Sequence, residues 1–590
     1  MTYGRWISGV LIFVALGEAV ALALLAAGGE GRVLFGPILI ILHTLHKPLW
    51  IGLAASVGVV ITAPRSRIRR AIGFALIAAL TALAVLVIAR TGPVVMTKAD
   101  IAVTELYVQL AMKGELLVGP YSRFQWHHPG PLYFWLQTPF YALSGAKAAG
   151  LYAGALALNL LSVGVLVWVL LRVDRGPLSV SLLAGWLLFV IRDRFVMASP
   201  WTAHVPIMAS MAFIVLAAAV ASGQRRMLPL FVVFGAFLAQ THVALVPLVI
   251  VLSVVVLVAI VRGATHEHSS SLWPTLNGCA WLLVALWLLP LAEQLSHTPG
   301  NLVKLWRFFV VDTGPSQPYS AAFPAWIHAL TGAFRPDLST PYGGHFEPTH
   351  LRWGIPLVIA EMLALPIIGS RAFRQNRTFE AWISFTALTA SCVGLWSLTR
   401  IRGDILDHEI YWIIPLGAMN LAIVAGVVAR SIYSRRLIPS QGSRWQSHSV
   451  TVMCTLLFVA FVRIGVRQFD RLVAFESSTR PKDADIRLTF ETVRTYLDSQ
   501  EARKPLFRID GPWEITAAVL VRLHQSGRPF AVEDKWVPMF TDVFSAHGNE
   551  DIVVDVGRAE RCPLTDESPD THTHILQRQP VCIQATHVQR

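Results

Sequence analysis

Residues 71–100 read AIGFALIAALTALAVLVIARTGPVVMTKAD: an apolar run from Ala71 to Arg90, then a polar turn that ends on Lys98-Ala99-Asp100. About 20 apolar residues make a helix long enough to cross the roughly 30 Å hydrocarbon core of a bilayer. The chain around this stretch has the same texture. Of its 590 residues 54% are hydrophobic and 14% charged, against roughly 25% charged in a soluble domain. An ordinary soluble enzyme is excluded, and so is a disordered chain, which is poor in apolar residues.

Further apolar runs lie at 6–28, 36–62, 149–172, 177–193, 203–222, 228–241, 244–262, 273–291, 354–370, 379–397, 411–430 and 450–466. Together with 71–90 they make thirteen expected spans, an α-helical polytopic membrane protein. The first run is long for a signal peptide and has no cleavage site. Basic residues follow the even-numbered spans: Arg65, Arg67, Arg69 and Arg70; Arg172 and Arg175; Arg225 and Arg226; Arg262; Arg371, Arg374 and Arg377; Arg430, Arg435, Arg436 and Arg444. The positive-inside rule then puts these loops and the N-terminus in the cytoplasm. The net charge of +13 is largely topological, and no nucleic-acid partner is needed to explain it.

The same count places 91–148, 292–353 and 467–590 outside. Long outer segments suit an enzyme working on the outer face of the cytoplasmic membrane. The expected division is a membrane domain over 1–466 and an extracytoplasmic α/β domain over 467–590, with a helix near 485–500, strands at 504–509, 529–532 and 551–556, and an amphipathic helix from Trp513 to Gln525. Cys279, Cys392 and Cys454 sit in apolar spans, where cysteine behaves as a small hydrophobe. Cys562 and Cys582 share the outer domain, where an oxidising compartment favours a disulfide between them.

The first outer loop carries the chemistry. A helix starts at Ala99-Asp100, and Ile101, Leu106, Leu110 and Ala111 recur at helical spacing, which predicts a helix lying along the interface with one face in lipid. For Asp100 a solvated helix cap is the competing explanation. Then comes GELLVGPYSRFQWHHPGPLYFWLQTPFYALSG over 114–145, with Arg123, Gln125, Trp126, His127 and His128 crowded before a stiff Pro129-Gly130-Pro131. An aromatic belt at the headgroups accounts for Tyr133, Phe134 and Trp135, but not for His-His-Pro-Gly-Pro.

This ordered set resembles the first outer loop of the GT-C glycosyltransferase superfamily, in the branch of the protein O-mannosyltransferases and lipid A aminoarabinose transferases. The matching positions are Asp100, Gly114-Glu115-Leu116-Leu117-Val118, His128-Pro129-Gly130-Pro131-Leu132-Tyr133-Phe134-Trp135-Leu136, Tyr141 and Gly145. The chain departs from that pattern in lacking a second acid directly after Asp100 and in carrying His128 before the proline.

The resemblance implies a GT-C-like architecture and transfer of a sugar from a polyprenyl-phosphate donor to an acceptor hydroxyl, inverting the anomeric carbon. Such transfer needs a base for the acceptor proton and positive charge for the departing phosphate. Asp100 is the expected base and Glu105 the second candidate. Lys98, Arg123, His127 and His128 are candidates for the phosphate. So are Arg192, Arg194, Arg400 and Arg402, which run against the charge bias on the outer side, although exposed loop charge explains them equally. His242, Glu293, His408 and Glu409 lie at outer span ends and are candidates for sugar or acceptor hydroxyls; helix pairing is the alternative. Adjacent histidines suit one metal ion poorly, so no cofactor is expected to be required, although a divalent metal is not excluded. The partners are a polyprenyl-phosphate sugar, membrane lipid, and a glycan, glycolipid or protein acceptor. A transporter or flippase of lipid-linked saccharides is one alternative; it would favour internal repeats and midplane polar groups. A polysaccharide polymerase or ligase is the other.

Overall fold

A computed structural model describes residues 2–28, 31–35, 38–42, 44–63, 66–264, 273–312, 314–335, 351–436, 442–558, 573–578 and 581–587. Helices dominate because a backbone in hydrocarbon must satisfy its own N–H and C=O groups. Among the described residues nine helices are long and apolar enough to cross a membrane: Trp6–Ala26, Arg67–Thr91, Ala148–Val173, Val243–Arg262, Pro274–Ser296, Leu351–Arg374, Thr378–Leu398, Asp407–Ile432 and Ser447–Ser478. Shorter apolar helices lie at His46–Thr62, Pro177–Arg192 and Pro206–Ala221, and Leu228–Thr241 adds one of 14 residues. A helix therefore occupies each of the thirteen runs, and the chain is a multi-pass membrane protein.

Two boundaries differ from expectation. The 36–62 run is not one span: Ile38–Leu42 pairs antiparallel with Gly31–Phe35, and the helix begins only at His46. The β-branched Ile38, Ile40 and Ile41 suit a strand. The last helix covers Gly442–Ser478, 37 residues, about 55 Å at 1.5 Å per residue and far more than the membrane requires. No glycine or proline interrupts 467–478, so the helix runs on past the expected boundary at 466.

The chain divides into two units. One comprises Met1–Gly92, Tyr152–Leu288 and Arg307–Leu472; the other comprises Pro93–Leu151, Leu289–Trp306 and Val473–Arg590. The second unit thus gathers parts of the three segments that the sequence expectation puts outside. These are three pieces that an odd number of crossings puts on one face.

Within the first unit, charges that the same count places on the other face find one another. Arg430 pairs with Asp174 and, at 3.3 Å, with Glu380, which Arg377 also meets at 3.0 Å. Deeper in the spans, Asn420 donates to Glu361 at 3.2 Å and to Ser391 at 3.1 Å, and the Trp326 indole donates to the Ser391 carbonyl at 2.8 Å. Polar groups at such depth need internal partners because lipid supplies none.

The second unit is built on a five-stranded sheet. Ala531–Val532, Leu506–Ile509 and Ile552–Arg558 lie parallel in that order, followed antiparallel by Val581–His587 and Thr573–Arg578. The three parallel strands match the sequence expectation; the last two add to it. The helices Asp483–Ser499 and Trp513–Gln525 also form as expected. Cys582 is disulfide-bonded, whereas Cys279, Cys392 and Cys454 are free. Cys562, the expected partner, lies outside the described residues.

Candidate functional site

The loop helix Ala99–Lys113 begins and ends on special backbone. Lys98 is extended, Ala99 has a φ of 50°, and Gly114 closes the helix at a φ of 79°. Glycine suits such a left-handed cap because it has no Cβ to clash. The helix does not lie with one face in lipid. Every residue from Ile101 to Ala111 is buried, by the C-terminal helix Trp513–Gln525 and the aromatic helix Leu132–Leu143, which both pack against it. Ala102, Val103, Tyr107 and Val108 widen its apolar surface beyond one stripe, and the buried Glu105 and Gln109 between them find hydrogen-bond partners inside the unit.

Asp100 is half-buried on the first turn and accepts a short hydrogen bond from the Tyr121 hydroxyl. Burial and the Asp100 charge push the Tyr121 phenol well above its ordinary range, so it stays a donor. Tyr121 is delivered by a tight turn. Ser122 N–H donates to the Trp126 carbonyl at 3.0 Å, His128 N–H donates to the Pro120 carbonyl at 2.8 Å, and Tyr121 and His127 form an antiparallel bridge. Gly119 lies against this turn so closely that a Cβ there would sit 2.5 Å from the His128 carbonyl oxygen and 2.7 Å from that of Gly130. Gly119→Ala should therefore cost roughly 1–3 kcal/mol as the turn is forced apart. A thermal melt indistinguishable from that of the parent would contradict the close approach.

Glu105 is fully buried and held by four donors. Arg522 Nη1 and Nη2 reach its two oxygens at 3.2 Å each, Tyr141 donates at 2.7 Å, and Thr97 makes a short bond. A fork-on-carboxylate pair with two further hydroxyl donors satisfies a carboxylate. Glu105 is placed as an anchored anion, with its oxygens engaged inside the unit.

A hydrogen-bond chain continues from it. Lys113 Nζ donates to His524 Nε2 at 2.7 Å, His524 Nδ1 to Gln109 Oε1 at 2.7 Å, and Gln109 Nε2 to the Tyr141 hydroxyl at 3.0 Å. Lysine can only donate, which fixes the His524 tautomer with its proton on Nδ1.

Lys98 is buried too, and its ammonium faces three backbone carbonyls: Glu476 at 2.7 Å, Thr479 at 2.9 Å and Pro481 at 3.1 Å. That uses all three N–H donors and leaves none for a phosphate. Burial lowers the Lys98 ammonium from its ordinary value, opposed by the charges of Glu476 and Asp483.

The second outer segment is tied to the first loop through Asn301. Its backbone N–H donates to both Glu293 oxygens, at 3.0 and 2.8 Å. Its side chain accepts from the His127 N–H at 2.8 Å and donates to the His127 carbonyl at 2.9 Å. Glu293 therefore works within the protein, organising the Asn301 turn. The His127 ring is pushed down to about 4, by burial first and then by Lys304, with Asp542 acting in the opposite direction. His128 packs edge-on against Trp126, 5.6 Å between centroids. Arg123 is exposed, its guanidinium 4.9 Å from the centre of the Phe124 ring.

His524 is likewise pushed down to about 4, by burial and then by Lys113. His127 and His524 are thus neutral when folded but protonate near 6.5 when unfolded. The unfolded chain then binds more protons between those values, and stability is lost as pH falls below about 6.5. By pH 5 the loss should be about 2 kcal/mol for each ring. Thermal melts from pH 7.5 to pH 5 should show it, with a shallower slope in His524→Gln; equal slopes would contradict the buried neutral ring.

In the first unit the outer arginines meet backbone. Arg192 makes a short bond to the Arg335 carbonyl. Arg402 bonds the Phe308 and Asp312 carbonyls and stacks 3.9 Å over the Phe308 ring. Arg400 reaches the Phe309 carbonyl at 3.1 Å. Arg194 is exposed. Glu409 accepts from the Leu406 N–H at 2.9 Å, capping a short helix. His408 joins an aromatic cluster in which Trp201 stands 5.5 Å from His408 and 5.1 Å from His204, and His204 stacks on Tyr411 at 5.3 Å. His242 is close enough for His408 to act on it electrostatically. No group of three or more His, Cys, Asp or Glu side chains is placed to hold a metal ion among the described residues.

Sequence reasoning did not single out Tyr121, Asn301 or Arg522. Tyr121 had a weak local signal, its position just after Gly119-Pro120. Arg522 had none, because its partner lies 417 residues away.

No protein-family model and no curated protein matches the sequence. Among solved structures the chain is similar to ArnT from Cupriavidus metallidurans bound to undecaprenyl phosphate, with a TM-score of 0.50 and 12% identity, over 86% of this chain and 97% of that one. The apo state of that protein aligns with a TM-score of 0.43 and 11% identity, over 88% and 98%. At 12% identity this likeness is one of fold.

Proposed function

We propose that this protein transfers a sugar from a polyprenyl-phosphate carrier to an acceptor hydroxyl on the extracytoplasmic face of the cytoplasmic membrane, with inversion at the anomeric carbon. The observation that carries the proposal is the placement of Asp100. It heads a buried helix in the unit that collects the three outer segments, in a chain with the ArnT fold, and a protonated Tyr121 fixes one of its carboxylate oxygens.

In this reaction the acceptor oxygen forms a bond to the anomeric carbon as the bond from that carbon to the phosphate oxygen breaks. The acceptor proton passes to Asp100, and the carrier leaves as polyprenyl phosphate bearing the bonding pair. Asp100 is the base, as its half-buried position and short bond allow. Lys98 and Glu105 act in support, because their polar atoms are already engaged. Arg123, exposed and in the same unit as Asp100, is the arginine proposed to meet the donor phosphate, since a guanidinium fork binds two phosphate oxygens. The acceptor is a glycan, a glycolipid or a protein.

The test is a panel of radiolabelled polyprenyl-phosphate hexoses and pentoses offered to the purified chain in lipid, with cell-envelope extract as acceptor. Label passing into the acceptor from one donor is expected. No transfer from any donor, with the protein folded, would contradict the proposal.

A further inference from the structure

The residue before Asp100 is strained. Ala99 has a φ of 50°, a region that costs an alanine free energy and persists only where the surroundings hold it. The three residues before it are each held, and all by the same unit. Met96 N–H donates to Asp483 at 3.3 Å. The Thr97 hydroxyl bonds Glu105, whose other ligands are Tyr141 and the Arg522 fork. Lys98 is clamped by the carbonyls of Glu476, Thr479 and Pro481. Two of these three anchors belong to the chain beyond residue 472, and the third reaches it through one carboxylate.

Arg522 is the far end of that third anchor. It sits in the last turn of the helix Trp513–Gln525 and approaches Glu105 with both terminal nitrogens. Glu105 in turn spans from the second turn of the loop helix back to Thr97. The carboxylate therefore straddles the strained residue: it is bonded on one side to Thr97 and rooted on the other at position 105, with Asp100 between. Arg522 has no direct role in the chemistry described above.

We infer that Arg522, through Glu105 and Thr97, is a positioning residue that keeps Ala99 left-handed and thereby aims the Asp100 carboxylate. This assigns the C-terminal segment a part in the active site. The inference rests on the proposed transferase function for its kinetic consequence but not for its structural one. Strain at Ala99 supplies the discriminating test, because glycine adopts a positive φ without the alanine penalty. If Arg522 matters because it holds the turn, Ala99→Gly should make Arg522 less necessary.

The experiment uses the full-length chain in lipid. Hydrogen exchange of the segment 96–106 is read in Arg522→Gln, Arg522→Lys and the double variant Ala99→Gly/Arg522→Gln. Arg522→Gln should raise exchange in this segment at least tenfold, Arg522→Lys less, and the double variant should return toward the parent. With an active donor in hand, Arg522→Gln should lower kcat at least tenfold with donor KM nearly unchanged, and the double variant should recover most of the loss. Unchanged exchange in Arg522→Gln, or increased exchange that Ala99→Gly leaves uncorrected, would overturn the inference. Exchange that behaves as expected in a chain that transfers no sugar would instead overturn the transferase proposal and leave the positioning of Asp100 standing.

Discussion

Asp100→Asn should abolish nearly all sugar transfer while leaving the protein folded and in the membrane. A positioned general base contributes about 10²–10⁴-fold to rate, so a fall in kcat of that size is expected. Asparagine keeps an oxygen that can accept from Tyr121, so this tie between the turn of 120–128 and the start of the loop helix is retained. What disappears is the ability to take a proton. Donor binding should change little, because Asp100 itself carries no positive charge for the phosphate. A variant with full kcat would remove Asp100 from the mechanism, whereas a variant that is inactive because it melts early would leave its role to be read from Asp100→Glu.

The largest stability effect is expected at Glu105. Glu105→Ala deprives the Arg522 guanidinium of its carboxylate partner and removes the acceptor of Tyr141 and Thr97. Breaking a buried ion pair by deleting one partner costs about 3–5 kcal/mol. Replacing both partners together, as in Glu105→Leu/Arg522→Leu, should cost less than the sum of the single changes, because no charge is then stranded. Local opening measured by hydrogen exchange on the helices Ala99–Lys113 and Trp513–Gln525 reads this directly. A loss below about 0.5 kcal/mol would be the behaviour of an ordinary surface site and would contradict the buried pair.

Much of the fold is legible in the sequence because lipid imposes a simple rule, long apolar runs bounded by charge. The alternation of arginines puts Arg377 and Arg430 on one side, and in the structure the two share Glu380, with Asp174 also on Arg430. The same alternation groups the three segments of the second unit. The rule fails where another signal competes. Ile38–Leu42 is apolar enough for a span yet pairs as a strand. The loop helix was expected to face lipid because Ile101, Leu106 and Leu110 stand out at helical spacing. Its other faces carry Thr104, Glu105 and Gln109 among apolar residues, and in the structure protein covers them all.

The site is legible in part. Asp100 is marked by its place after a span and by the resemblance of the residues that follow it. The partners that define its setting are not marked. Tyr121 is 21 residues away, Glu476 is 378 residues from Lys98, and Arg522 is 417 from Glu105. Such pairings depend on how distant segments pack and leave no periodicity to read. The outer lysine and arginines illustrate the same point. Charge bias identifies Lys98, Arg192 and Arg402 as unusual, and in the structure each binds backbone carbonyls.

The most direct test follows both products of a single donor. The purified chain in lipid nanodiscs is given a polyprenyl-phosphate sugar of known anomeric configuration together with its acceptor. The glycosylated product is examined by NMR and the lipid by mass spectrometry. The expected result is an acceptor glycoside of inverted configuration and one polyprenyl monophosphate released per sugar transferred. Retained configuration, or recovery of the lipid-linked sugar intact after it has crossed a bilayer, would contradict inverting glycosyl transfer by this protein.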